Sequence, residues 1–226
     1  MSIVRLLIIQ FNNTIERKEI PLFRGAVIES VKDSNNVLFH NHIGEGFRYS
    51  YPLIQYKRIH QKAAIVCINE GTDSIGEFFS SCNFQFKLGE KYVEMIIDSV
   101  KAYQVQVQCW DTSFSYYLRN WLPLNSDNYE QYKKLDGLVE QTTFLEKILI
   151  GNILSFLKGV GIFIGEELKC KIISLSEPRL INNKGVRFMS FDLEFKSNIS
   201  LPDFIGIGKN VSIGSGIVKR IYNNYE

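Results

Sequence analysis

Two runs, Tyr51-Pro-Leu-Ile-Gln-Tyr-Lys-Arg-Ile59 and Ala63-Ala-Ile-Val-Cys-Ile68, stand on either side of His60-Gln61. Both are rich in β-branched and aromatic residues, and the break between them is short, so they read as two strands joined by a tight turn. Upstream, residues 3–11 form a third apolar run that reads as a strand. Met1 to Gln10 is too short for a signal-peptide core, and no small-residue cleavage site follows it. Between these strands, Pro21 to Asp33 reads as a helix: proline suits a first helical turn, and Phe23, Val27 and Val31 recur every four residues as its buried stripe. Downstream, Glu70-Gly71-Thr72-Asp73 stops a strand and caps a short helix through Phe79. Phe84–Leu88 and Tyr92–Trp110 read as a hairpin about Gly89-Glu90, its long second run broken near Ser99-Val100. Strand, helix, strand, strand, helix, strand is the split βαβ order of a ferredoxin-like domain over residues 1–110.

The second half is built differently. Phe114–Leu122 is aromatic and reads as helical or irregular, and Asp127–Leu135 as a short polar helix. Leu138–Leu157 is a long helix with one apolar face at Leu138, Leu145, Leu149, Ile153 and Phe156. Residues 168–176 and 186–196 read as strands across a turn at Asn182-Asn183-Lys184-Gly185, and Ile217–Tyr222 as a last strand. The expectation is an α+β chain of two domains, 1–110 and 111–226. The only candidate membrane span, Ile148 to Gly165, contains Asn152, Lys158 and four glycines, and reads as a buried helix followed by a glycine-broken connection.

The chain has 226 residues, 45% hydrophobic and 22% charged, which excludes a disordered chain, a collagen and a disulfide-stapled miniprotein. Cys67, Cys82, Cys109 and Cys170 lie 15, 27 and 61 residues apart, without metal-ligand or thioredoxin spacing. They read as buried reduced thiols of a cytoplasmic protein. Net charge is only +2, but it is unevenly spread: residues 1–66 carry nine Lys/Arg against five Asp/Glu, residues 67–167 eight against fourteen, and residues 168–220 nine against four. Basic ends around an acidic middle make a polyanion a plausible partner if the ends meet.

Three features could carry chemistry. His40-Asn41-His42 holds two of the three histidines, in a polar loop after the first helix. Imidazole gives or takes protons near neutral pH, and such loops often carry reactive groups. The bland alternative is a hydrogen-bonded pair; a metal site would have Glu45 alone to complete it. The second feature is Gly206-Ile-Gly208-Lys209 followed by Gly214-Ser-Gly216. It is neither a dinucleotide fingerprint, because Val211 stands where the third glycine would fall, nor a P-loop, because no Gly-Lys-Ser/Thr ends it. Lys209, and Lys219 and Arg220 after the loop, favour a polyanion backbone; the alternative is a turn serving only the fold. The third is Arg24, Arg48, Lys57, Arg58 and Lys62 interleaved with Tyr49, Tyr51 and Tyr56, cations for phosphates and rings for unpaired bases. In a strand Lys57 points away from Tyr56 and Arg58, so the three cannot share a face.

Phe23-Arg24-Gly25-Ala26, Leu38-Phe39-His40-Asn41-His42, Tyr51-Pro52-Leu53-Ile54-Gln55-Tyr56-Lys57 and the terminal Gly-x-Gly-x5-Gly-x-Gly together resemble the CRISPR-associated repeat-RNA endoribonucleases of the RAMP superfamily, and their b-type branch most. The resemblance implies tandem ferredoxin-like (RRM-like) domains, the second degenerate with extra helices. It implies cleavage of precursor CRISPR RNA within repeats, without metal or other cofactor, leaving a 2′,3′-cyclic phosphate. The family's usual catalytic histidine lies in the loop after the first helix, the segment holding His40 and His42.

The resulting expectation is a metal-independent endoribonuclease. His40 ahead of His42 moves the proton of the ribose 2′-hydroxyl or of the leaving oxygen. The other histidine or Tyr49 completes the pair, and Lys57 or Arg58 offsets phosphorane charge. Arg24, Arg48, Arg58, Gly206, Gly208, Lys209, Gly214, Gly216 and Lys219 would hold CRISPR repeat RNA. Other CRISPR-associated proteins and a second copy of the chain are further candidate partners; a membrane is not. The competing expectations are a RAMP-type subunit that binds RNA without cutting it and an unrelated protein with a small-molecule pocket.

Overall fold

His60 and Gln61 both adopt positive φ, 48° and 67°, the geometry that lets a two-residue turn follow the twist of the strands it joins. The computed structural model describes residues 2–31, 42–43, 46–47, 51–183 and 185–222. In chain order the first half runs β1 (Ile3–Thr14), α1 (Ile20–Ser30), β2 (His42–Ile43), β3 (Gly46–Phe47), β4 (Ile54–Ile59), β5 (Lys62–Ile68), α2 (Glu70–Ser81), β6 (Gln85–Leu88), β7 (Lys91–Glu94) and β8 (Ile97–Gln106). The principal sheet has the order β4-β5-β1-β8. Setting aside the small hairpins β2–β3 and β6–β7, this is second, third, first, fourth: the ferredoxin-like order.

Pro21 lies in the first turn of α1, and the expected stripe of Phe23, Val27 and Val31 is buried. It packs on the sheet through an aromatic cluster. Phe23 meets Phe11 edge-on at 5.6 Å and Tyr56 edge-on at 5.9 Å, and Phe86 joins at 6.0 Å, geometries that ring quadrupoles favour. The break in the 92–110 run falls at Met95-Ile96 rather than Ser99-Val100. There the Asn13 side chain accepts the Ile96 N–H at 2.9 Å and Met95 is buried.

The second half runs β9 (Cys109–Trp121), α3 (Ser126–Tyr132), α4 (Leu138–Gly159), β10 (Cys170–Leu175), β11 (Arg179–Asn183), β12 (Val186–Ile199) and β13 (Ile217–Ile221). With β11, which pairs only with β12, set aside, its sheet order β10-β12-β9-β13 is again second, third, first, fourth. No α-helix occupies the slot between β12 and β13; the glycine-rich segment with a short 3-10 turn at Val211–Ile213 stands there instead. The fold is a tandem ferredoxin-like one, and the loss of that helix is the sense in which its second copy is degenerate.

Three expectations are corrected here. Phe114–Leu122 is neither helical nor irregular: residues 114–121 belong to the thirteen-residue strand β9, hydrogen-bonded to β12 on one side and β13 on the other. The period-two burial of Tyr116 and Leu118 against exposed Tyr117 and Arg119 outweighs the helix-like spacing of its aromatics. The strand that precedes and pairs with β12 across the 182–185 stretch is β11, not β10, with Asn183 opposite Val186; β10 pairs farther along, Cys170 opposite Ser197. Leu138 is 68% exposed, so the buried stripe of α4 begins at Leu145. That helix ends in a Schellman motif: Gly161 has φ +73°, and the N–H groups of Ile162 and Gly161 bond to the carbonyls of Leu157 and Lys158.

The chain divides into two compact units, one of Ile3–Val105 with Ser212–Gly214, the other of Gln106–Val211 with Ser2 and the segment that follows Gly214. No helix among the described residues is long and apolar enough to cross a membrane. The four cysteines are free; Cys67 and Cys82 are buried, whereas Cys109 and Cys170 are only partly so.

Candidate nucleic-acid interface

The sequence places the candidate acid–base groups in the segment after α1. His40, Arg48 and Tyr49 lie outside the described residues. The backbone of His42 is in β2, paired antiparallel with Phe47 of β3.

On β4 the alternation is as expected, but its consequence is not. Tyr56 faces α1 and is wholly buried, its hydroxyl without a hydrogen-bond partner among the described residues; burial pushes its phenol far up, against the opposing field of Arg24. Lys57 points to the other face of the sheet, in a row with Ala64 and Gln10. That face is buried too, at Leu6, Ile8, Gln55 and Val66. The Lys57 ammonium, expected to meet RNA, is therefore enclosed, and its Nζ has no hydrogen-bond partner among the described residues. Burial lowers its pKa to about 7, because the charged form loses its hydration and nothing replaces it. Arg58 is half-buried, and its Nε donates to the Ile15 carbonyl at 2.6 Å, tying the exit of β1 to β4. Arg24 is half-buried on α1.

The glycine-rich segment is held by backbone geometry. Gly208 has φ +98°, and a Cβ there would stand 2.8 Å from Trp121 Cδ1. Gly216 has φ +63°, and a Cβ would run into the Ile207 carbonyl, with which the glycine forms a close backbone pair: Ile207 N–H donates to Gly216 O at 2.7 Å. Gly206 bridges to Ile217. Gly214 belongs to the N-terminal unit, where it packs on Ile20 and the Tyr56 carbonyl. Gly206, Gly214 and Gly216 are buried, while Lys209 and Lys219 are exposed. Arg24, Lys57, Arg58 and Gly214 thus share the N-terminal unit, and Gly206, Gly208, Lys209, Gly216 and Lys219 share the other.

Sequence reasoning missed a second set of groups on the C-terminal sheet. Tyr117, Arg119 and Lys196 are exposed beside Lys219. Reading 114–122 as a helix or loop hid them; the alternation along Tyr116-Tyr117-Leu118-Arg119 was the signal that could have found them.

Two family models together span most of the chain: the Cas6b N-terminal domain matches residues 2–106, and the Cas6b C-terminal domain matches residues 108–221. The chain belongs to the Cas6b family. A solved Cas6b structure superposes with a TM-score of 0.89 at 28% identity, covering 97% of this chain and all of that one. A second, described as the CRISPR RNA processing endoribonuclease Cas6b, has a TM-score of 0.75, also at 28% identity, with the same coverage. An uncharacterized protein of Methanocaldococcus jannaschii is 39% identical over 105 residues, 46% of this chain and 70% of that protein. Membership of Cas6b agrees with the b-type likeness of the His40 and Tyr51–Lys57 segments.

Proposed function

We propose that this chain is a metal-independent endoribonuclease that cuts precursor CRISPR RNA within its repeats. The observation that carries the reading is the match of both Cas6b domains over residues 2–106 and 108–221, supported by the likeness to a solved CRISPR RNA processing endoribonuclease. In this reading a ribose 2′-hydroxyl attacks the adjacent phosphorus, the 5′-oxygen leaves, and a 2′,3′-cyclic phosphate forms. The step needs one proton removed and one delivered. His40 and His42 supply these transfers, with Tyr49 as the other candidate. Of the two β4 cations, Arg58 is the better placed to offset phosphorane charge, because Lys57 is enclosed. Arg24, Arg48, Lys209 and Lys219 hold the phosphate backbone; Gly206, Gly208, Gly214 and Gly216 shape the loop beside it.

The test is the double change His40→Ala with His42→Ala, assayed on end-labelled repeat RNA under single-turnover conditions. Cleavage falls by at least about tenfold, a threshold set below the roughly 10²–10⁴-fold that a general acid or base contributes, while RNA binding changes little. Undiminished cleavage removes histidine from the mechanism. A wild-type chain that binds repeat RNA without cutting it is instead a non-catalytic RNA-binding subunit.

A further inference from the structure

The open face of the C-terminal sheet has a composition that packing does not explain. Strand register puts Tyr117 between Glu194 of β12 and Lys219 of β13, puts Ser115 between Lys196 and Ile221, and sets Arg119 opposite Ile217. Directly paired residues share a face, and residues two apart along a strand return to it. The other face carries Tyr116, Leu118, Leu193, Phe195 and Val218, all buried. Arg119, Lys196, Lys219 and Tyr117 therefore lie together on the side turned to solvent, with Tyr117 37% exposed.

The charges on this face are not neutralised. Arg179 at its margin is paired, its Nη2 lying 2.6 Å from Asp192, and Lys171 pairs with Glu146. Arg119, Lys196 and Lys219 have no ion-pair partner among the described residues. Two carboxylates border these three cations: Glu194, opposite Tyr117, and Asp192, which Arg179 pairs and which acts on the Tyr117 phenol. The Tyr117 phenol sits at the centre, within the fields of Arg119, Arg179 and Asp192.

We propose that this face is a track for single-stranded RNA, on which Arg119, Lys196 and Lys219 meet phosphates and Tyr117 stacks a base. The inference rests on the RNA-processing reading above and extends it from Lys219, which that reading already uses, to Tyr117, Arg119 and Lys196, which it does not. Same-face residues repeat at about 7 Å along a strand and about 5 Å between strands, a spacing that lets a flexible phosphate backbone bridge the three cations. A ring flanked by cations fits unpaired bases, whose π-faces stack without regard to sequence. An acidic peptide would use the cations but leave the ring idle.

The experiment measures binding of a fluorescein-labelled fifteen-nucleotide oligouridine to the full chain by anisotropy across a salt series. The triple variant Arg119→Gln, Lys196→Gln, Lys219→Gln is expected to bind at least about tenfold more weakly. Its log K against log salt slope should be shallower by about 2, as for three lost phosphate contacts on a single strand. Tyr117→Ala is expected to lose about fivefold or more, whereas Tyr117→Phe, which keeps the ring, stays near wild type. The charge-preserving variant Arg119→Lys, Lys196→Arg, Lys219→Arg should retain binding, which separates lost charge from a damaged fold. An unchanged affinity and slope in the triple glutamine variant overturns the proposal. So does polyglutamate competing as well as unlabelled oligouridine. A wild-type chain that cuts repeat RNA while these variants bind normally loses only this face; one that binds neither RNA loses the underlying reading as well.

Discussion

Gly214 packs its Cα against the backbone of Tyr56: a Cβ at this position would stand 3.4 Å from the Tyr56 carbonyl oxygen and 2.9 Å from Ile20 Cδ1. The glycine has φ +85°. Its neighbour Ile213 packs against the N-terminal core cluster. A segment far along the chain thus completes the packing around α1 and β4, and it does so only because residue 214 has no side chain.

Gly214→Ala is therefore expected to destabilise the protein by about 1–3 kcal/mol, combining the strain of a left-handed conformation with the close contact to Ile20. Gly25→Ala makes the internal control. Gly25 lies inside α1, and a Cβ added there would have nothing within 4 Å, so alanine should stabilise by about 0.5–1 kcal/mol. Urea unfolding of both variants checks the opposite signs.

Lys57 predicts a pH dependence. Burial lowers its pKa to about 7 from an ordinary 10.5. Between these values the unfolded chain binds the extra proton, so stability rises with pH across this window. Below pH 7 both states are protonated and the full penalty applies, on the order of 3–5 kcal/mol. Lys57→Met should raise stability at pH 7, and the difference between variant and wild type should shrink as pH climbs from 7 toward 10. Denaturant midpoints measured at intervals through that range test it; a constant difference contradicts it.

The chemistry of the proposed cleavage has its own signature. A 2′-deoxy substitution at the cut site should abolish reaction, because it removes the nucleophile, while binding of the substituted strand persists. EDTA should leave the rate unchanged. Inhibition by EDTA that zinc or manganese reverses would favour a metal-bound mechanism built on His40 and His42. Product analysis on labelled repeat RNA reads all of these outcomes.

The first half of the fold was legible because its local signals agree. Pro21 opens α1, the Phe23-Val27-Val31 stripe sets its face, and the short His60-Gln61 break separates two strands; each is a near-neighbour effect written in adjacent residues. The second half was less legible. In β9 the aromatic run Phe114-Ser-Tyr-Tyr-Leu carries both helical and strand spacings, and pairing with β12 and β13 decides between them. The groups of the candidate interface divide in the same way. Sequence singled out the two histidines, the glycine-rich segment and Lys219, but the cations it missed, Arg119 and Lys196, lie 77 residues apart in the chain and come onto one face only through sheet register.

By itself the amino-acid sequence determined the element order of the N-terminal unit, the presence of a glycine-rich terminal segment, and the likeness to the repeat-RNA endoribonucleases. Only the tertiary structure decided that Lys57 is enclosed while Arg119, Lys196 and Lys219 stand open. The physical reason is that a strand's sequence specifies which residues alternate, whereas the solvation of each face depends on what distant segments lay against it. A lysine on an enclosed face is driven toward neutrality, and the same cation on a bare one remains hydrated and free to meet a phosphate.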